Sequence, residues 1–230
     1  MRIDILTLFP QMFTGVLSES ILARAINNDI ANINVIDFRT FSTNTHHKVD
    51  DYPFGGGAGM VLQVQPVHDA LKSIDGYEDA LKILMTPQGE PFKQEKAYAL
   101  SKVDHIIILC GHYEGYDERI RHYFDEEISI GDFVLTGGEI AAMAIVDSVV
   151  RVIDGTIGKA ESHHNDSFNN ILLEHPHYTR PRVYDEMEVP EVLLNGHHKK
   201  INEWRHEMSL KRTKERRPDL YKKYMNIKEK

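Results

Sequence analysis

Residues 105–110 read His-Ile-Ile-Ile-Leu-Cys, a continuous apolar run with no polar alternation, and this run limits the possible folds more than any other feature. A strand with one face in water alternates apolar and polar side chains. A strand without alternation is covered on both faces, as the inner strands of parallel sheets are. Arg2–Leu8, Asn34–Phe38 and Lys82–Met85 supply further strand candidates, the last stopped by Pro87-Gln88-Gly89. Between them the period changes to that of a helix. Phe13–Ile26 carries Leu17, Ile21, Leu22, Ala25 and Ile26 at helical spacing, and Pro66–Ile74 and Phe92–Lys102 also suit helices. Strands alternating with helices predict an α/β domain built on a parallel sheet.

Further along, Asp117–Phe124 reads as helical and Ile128–Leu135 as strand-like. Glu139–Ile153 is apolar on nearly every side. A helix of that kind needs cover all round, and in a domain this small a second copy of the chain would supply part of it, so a homodimer is expected. Residues 154–166 turn small, polar and histidine-bearing, the texture of a linker. Asp166–Leu173 and Lys199–Lys214 fit helices, with Asp166 placed as an N-cap, and strand-like alternation returns only near Val189–Leu194. The expected organisation is an α/β domain over residues 1–156, a flexible linker over 157–166 and a helical domain over 167–230.

No apolar run approaches the roughly 20 residues that span a bilayer, and the start of the chain has no signal-peptide pattern. A single cysteine excludes a disulfide scaffold. A soluble, cytoplasmic setting is expected. The net charge of −8 hides an asymmetry: Lys199–Lys230 holds 12 basic and 5 acidic side chains, against 15 and 30 in the preceding residues. A basic tail on an acidic body suits a polyanionic partner, but it also suits a solvated helix, and charge alone leaves both open.

Several familiar motifs fail on inspection. Gly55–Gly59 is not a dinucleotide fingerprint, because Met60 stands where the last glycine belongs, and Gly158-Lys159 lacks the first glycine of a P-loop. Cys110 reads as a buried small hydrophobe. His163, His164, His175, His177, His197 and His198 have neither cysteine partners nor HExxH spacing, so no metal site is expected. Three stretches resist a bland reading: Leu84–Gly89, Cys110–Arg119 and Ile128–Glu139. Each follows a predicted strand, at the edge where open α/β sheets bind ligands. Glycine there exposes backbone groups that could meet an adenine edge, with Ile130 and Leu135 enclosing the ring. Ordinary turns remain the alternative on spacing alone.

Taken in order with Asp50–Met60, Asp166-Ser167-Phe168, His175–Pro181, Gly196-His197-His198 and Arg217–Leu220, these strings resemble the bacterial tRNA (guanine-N1)-methyltransferases of the SPOUT superfamily. The likeness runs through essentially the whole chain. It departs at His112, where the family usually has arginine, and at Phe133, where it usually has tyrosine. The resemblance implies an α/β domain tied in a trefoil knot. It implies S-adenosylmethionine held by Leu84, Met85, Thr86, Pro87, Gly111, Glu114, Ile130, Gly131, Phe133, Val134, Leu135, Gly137 and Gly138, with Glu114 near the sulfonium or amino group. It implies an obligate homodimer whose sites are each completed by the other subunit. The reaction implied is methylation of N1 of guanosine 37, next to the tRNA anticodon, with Asp166 as the base and Arg151 stabilising O6. Arg180, Arg182, Arg205, Lys211 and Arg212 would hold phosphates of the anticodon stem-loop. Family members can require Mg2+, for which no ligand set is readable here. The rival readings are a non-catalytic RNA-binding knot protein, a SPOUT enzyme acting on ribose or ribosomal RNA, and a nucleotide-binding metabolic enzyme.

Overall fold

Residues 1–157 and 166–228 are described by the structure, a computed structural model of the chain. The chain divides into two compact units, Met1–Gly158 and Lys159–Lys230. The linker expected over 157–166 falls mostly on residues 158–165, outside the described residues.

The first unit holds β1 (Arg2–Thr7), β2 (Asn32–Asp37), β3 (Asp50–Asp51), β4 (Val61–Leu62), β5 (Leu81–Pro91), β6 (His105–Cys110) and β7 (Glu126–Ser129). Five of them form one sheet in the order β2–β1–β6–β5–β7, and every neighbouring pair is parallel. The strand that reads as unbroken apolar sequence lies at the centre, between β1 and β5. Its side chains serve two cores. Ile106, Ile108 and Cys110 pack with Ile3 and Ile5 on one face, while Ile107 and Leu109 pack with Leu6 and Leu84 on the other. Helices α1 (Thr14–Ser18), α2 (Ser20–Asn27), α3 (Val64–Lys72), α4 (Gln94–Leu100) and α5 (Glu139–Val150) complete the unit. Leu22, Leu100, Ile145 and Val149 from α2, α4 and α5 cover the first face, and Val67 and Leu71 from α3 cover the second.

Several elements differ from the sequence reading. The helix expected over Phe13–Ile26 is broken into α1 and α2, because Glu19 is extended and Ser20 takes a φ of 56°. The strand expected to stop at Met85 continues to Pro91. Met85 and Glu90 both stand opposite Ile128, so Thr86–Gly89 bulges out of the ladder. Pro87, which has no N–H to give a ladder, sits within that bulge. Asp117–Phe124 is a 3-10 turn over Glu118–Tyr123, and β7 ends at Ser129, so residues 130–135 have left the sheet. Helix α5 buries Ala142, Ile145, Val146, Val149 and Val150 but leaves Ile140 and Ala144 exposed beside Asp147.

In the second unit, residues 166–173 form turns rather than a helix, with Phe168 and Ile171 at φ of 77° and 68°. A short hairpin pairs β8 (Val183–Tyr184) with β9 (Met187–Glu188). The alternating segment Val189–Leu194 holds a 3-10 turn over Glu191–Leu193. Helices α6 (His198–Arg216) and α7 (Pro218–Lys228) follow. Thr213 on α6 is fully buried and ties the unit together: its hydroxyl accepts from the Leu173 N–H at 2.8 Å and donates to the Ser209 carbonyl at 2.7 Å. Among the described residues, no helix is long and apolar enough to cross a membrane.

Candidate functional site

Parallel strands bring their carboxyl ends to one edge of the sheet. At that edge the segments after β6 and β7, with the bulge of β5, enclose a cleft of about 340 Å3. All three stretches singled out in the sequence meet there. Every residue expected around the methyl donor lines the cleft except Leu84. Side chains alternate along a strand, so when Met85 faces the cleft its neighbour Leu84 turns into the opposite core, where it is fully buried. The Leu84 side chain thus serves packing.

The walls are held by backbone. Gly138 donates its N–H to the Gly111 carbonyl at 2.8 Å, and His112 and Gly137 form an antiparallel bridge. Contact there is too close for a side chain. A Cβ on Gly138 would lie 2.9 Å from the Cys110 Cα and the Gly111 nitrogen. One on Gly137 would lie 2.3 Å from Glu139 Oε2 and 2.7 Å from His112 Nδ1. Another backbone contact joins the Glu114 wall to the glycine-rich loop before β4: the Glu114 N–H donates to the Met60 carbonyl at 3.1 Å. Phe133 and Val134 stand 54% and 86% exposed at the rim.

Beneath the cleft lies a buried carboxylate. Glu139, 2% exposed, begins α5 and accepts a hydrogen bond from the Thr7 hydroxyl at 2.8 Å. The same hydroxyl accepts from the Phe9 N–H at 2.9 Å, and the Phe9 ring lies 4.9 Å from that of His112. Cys110 is buried as expected, and desolvation, reinforced by the Glu139 charge, pushes its thiol well above the ordinary range.

Sequence reasoning missed the contribution of Tyr116 and Arg121. Both line the cleft, with the Arg121 guanidinium 5.3 Å from the Tyr116 ring centre. Pairing with Glu127 raises the Arg121 pKa, and burial raises that of the Tyr116 phenol. Tyr116 lies within Cys110–Arg119, the segment that follows β6. Arg121 had no local signal, because it is brought in by its ion pairs with Glu118 and Glu127.

Arg151 follows α5 at its C-terminal end in the first unit and is half-buried. Asp166 belongs to the second unit, half-buried, and its backbone carbonyl accepts from the Asn169 N–H at 3.4 Å. Also in the second unit, Arg180, Arg182, Arg205 and Lys211 are exposed. Arg212 is half-buried and donates to the Glu174 carbonyl at 3.0 Å, so part of its role is structural.

Comparison with known proteins gives this geometry a context. Residues 1–223 match the family described as tRNA (Guanine-1)-methyltransferase TrmD. The chain belongs to that family. A tRNA (guanine-N(1)-)-methyltransferase of Shouchella clausii is 57% identical over 226 residues, covering 97% of this chain and 93% of its own. Proteins of the same name from Staphylococcus epidermidis and Staphylococcus aureus strain MRSA252 are 58% and 56% identical over 225 residues, covering 97% of this chain and 92% of theirs. Within this TrmD-family chain, both departures noted in the sequence, His112 and Phe133, line the cleft.

Proposed function

We propose that this chain transfers the methyl group of S-adenosylmethionine to N1 of guanosine 37 in tRNA. The observation that carries the reading is the convergence of three glycine-bearing segments on one cleft, in a chain of the TrmD family. The lining residues fit the donor. Backbone groups around Gly111, Gly137 and Gly138 approach closely enough to read an adenine edge, and Ile130 and Leu135 supply apolar walls. The Glu114 carboxylate offers a partner for a cationic group. When bound, S-adenosylmethionine supplies an electrophilic methyl carbon on a sulfonium.

The rest of the chemistry falls to the chain. Neutral guanine N1 carries a proton and no free lone pair, so a base must remove the proton as the methyl arrives. Asp166 is that base in this reading, and the guanidinium of Arg151 stabilises the charge that develops on O6. General-base and electrostatic contributions of this kind are each worth about 10²–10³ or more in rate. Reaching a stacked base in an anticodon loop requires flipping it out, at a cost of a few kcal/mol. The basic residues of the second unit, Arg180, Arg182, Arg205, Lys211 and Arg212, provide phosphate contacts against that cost.

The first unit serves as the donor-binding domain, with its loops forming the trefoil knot, and the second as the tRNA-binding domain. A homodimer completes each site. Ile140 is 50% exposed on α5, which packs against the Pro10–Phe13 turn where Met12 is 44% exposed, an apolar surface suited to a second copy. The reaction belongs in the cytoplasm, where tRNA is processed.

The deciding test incubates the protein and donor with tRNA transcripts carrying guanosine or adenosine at position 37, followed by nucleoside analysis. We expect 1-methylguanosine from the first transcript alone. Methylation of another atom or position, or no product under conditions where donor binds, overturns the proposal.

A further inference from the structure

The second unit contains a side-chain cluster to which the proposed mechanism gives no role. The ligand atoms of Glu174, His175 and His177 all lie within 4.8 Å of one another. The rings of His175 and His177 are 4.6 Å apart between centres, and His177 Nε2 lies 2.8 Å from Glu174 Oε1.

The local sequence explains the pairing of the two histidines. Residues 174–179 have no helical or turn structure, and side chains two apart on an extended chain project to the same side. Pro176, between the histidines, has a fixed φ and confines His175 to extended conformations. The backbone of Glu174 is held at both ends. Its N–H donates to the Ser167 hydroxyl at 3.0 Å, and its carbonyl accepts from Arg212 at 3.0 Å. One residue earlier, the Leu173 N–H is held by buried Thr213. The donors therefore start from a stiff, anchored segment, and little chain entropy is left to lose on binding.

We propose that Glu174, His175 and His177 form a binding site for a divalent transition-metal ion of the zinc class. Two imidazoles and one carboxylate are the donor set such ions take, with bonds of about 2.0–2.2 Å. Gathering three donors around one ion requires only small side-chain rotations from their present spacing. The exposed flank at His177, whose side chain is 64% exposed, leaves the fourth position open to water or an anionic oxygen. Arg212, which donates to the Glu174 carbonyl at 3.0 Å, adds positive charge near the site, so a bound ion favours an anion in the open position. The site is independent of the methyl-transfer reading.

Isothermal calorimetry with Zn2+ on the untagged full chain tests this, with circular dichroism to verify the fold. Co2+ serves as a second probe through quenching of Trp204, the sole tryptophan, whose ring lies 6.4 Å from Tyr178 next to His177. We expect one equivalent of Zn2+ per chain. The exposed-position variant His177→Ala should fold normally and bind at least about tenfold more weakly, since even partners outside the coordination shell are worth about 10–100-fold. Glu174→Gln should weaken binding as well. Failure of the native chain to bind Zn2+ with a Kd below about 100 µM, a free energy of about −5.5 kcal/mol, overturns the site. Equal affinity and stoichiometry in His177→Ala also overturns it, by assigning the ion to other histidines.

Discussion

Gly138 and Gly111 are joined by a 2.8 Å backbone hydrogen bond that closes one wall of the cleft against another. A methyl group at 138 would meet backbone, 2.9 Å from Cys110 Cα, and backbone cannot swing aside as a side-chain tip can. Gly138→Ala should therefore separate the two walls. We expect donor affinity to fall by at least about tenfold, with a stability loss of about 1–3 kcal/mol. Gly15→Ala is the control, because its Cβ meets nothing within 4 Å and it lies in α1, where alanine is favoured by about 0.5–1 kcal/mol. Calorimetric donor binding and denaturant melts on the two variants give the comparison.

Asp166→Ala and Arg151→Ala should each lower single-turnover methyl transfer by about 10²–10⁴ while leaving donor affinity within about threefold. Loss of donor binding in Asp166→Ala would place that carboxylate in the donor site instead.

The Thr7 hydroxyl needs an acceptor, and Glu139 supplies it in a place closed to water. Glu139→Ala should cost about 1–3 kcal/mol in urea unfolding through the stranded hydroxyl, with further loss from the cavity. Glu139→Gln keeps an acceptor oxygen and should be milder. A double-mutant cycle with Thr7→Val measures the coupling.

Cys110 should be inert to Ellman's reagent at pH 8 in the native protein. Burial holds the thiol protonated beyond its ordinary range, so little thiolate exists to react, and raising the pH modestly should not change this while the fold persists. In denaturant the thiol should titrate normally and react fully. Labelling in the native state at the denatured rate would contradict this burial.

Affinity for tRNA should fall steeply as salt rises, and Arg180→Ala and Lys211→Ala should each reduce the slope of log K against log salt by a fraction of a unit to about one unit. Filter binding at several salt concentrations measures both effects.

The parallel sheet was legible because burial on two faces removes alternation, and His105–Cys110 lost it completely. The cleft was legible because glycines followed strands at one edge. What escaped depended on contacts distant in sequence. The bulge of β5 is set by its register with β7, some forty residues on, and nothing within Lys82–Gly89 reports it. Residues 166–173 carried a good N-cap residue and helix-compatible composition, but Phe168 and Ile171 take positive φ and the Phe168 N–H donates to the Leu172 carbonyl, closing turns where a helix was expected. Leu84 and Met85 are neighbours in one motif, but a strand sends adjacent side chains to opposite faces, so the Met85 side chain lines the cleft while that of Leu84 packs in the core.

The order of strands also bears on how the chain is made. Strand β1 pairs with β2 on one edge but finds its other neighbour only in β6, about a hundred residues later. At about 5–20 residues per second, β1 waits several seconds or more between its own emergence from a ribosome and that of β6, with that edge unpaired. Until Cys110 has left the exit tunnel the unpaired N–H and C=O groups along that edge of β1 stay open, and the sheet can close only after β6 has been translated.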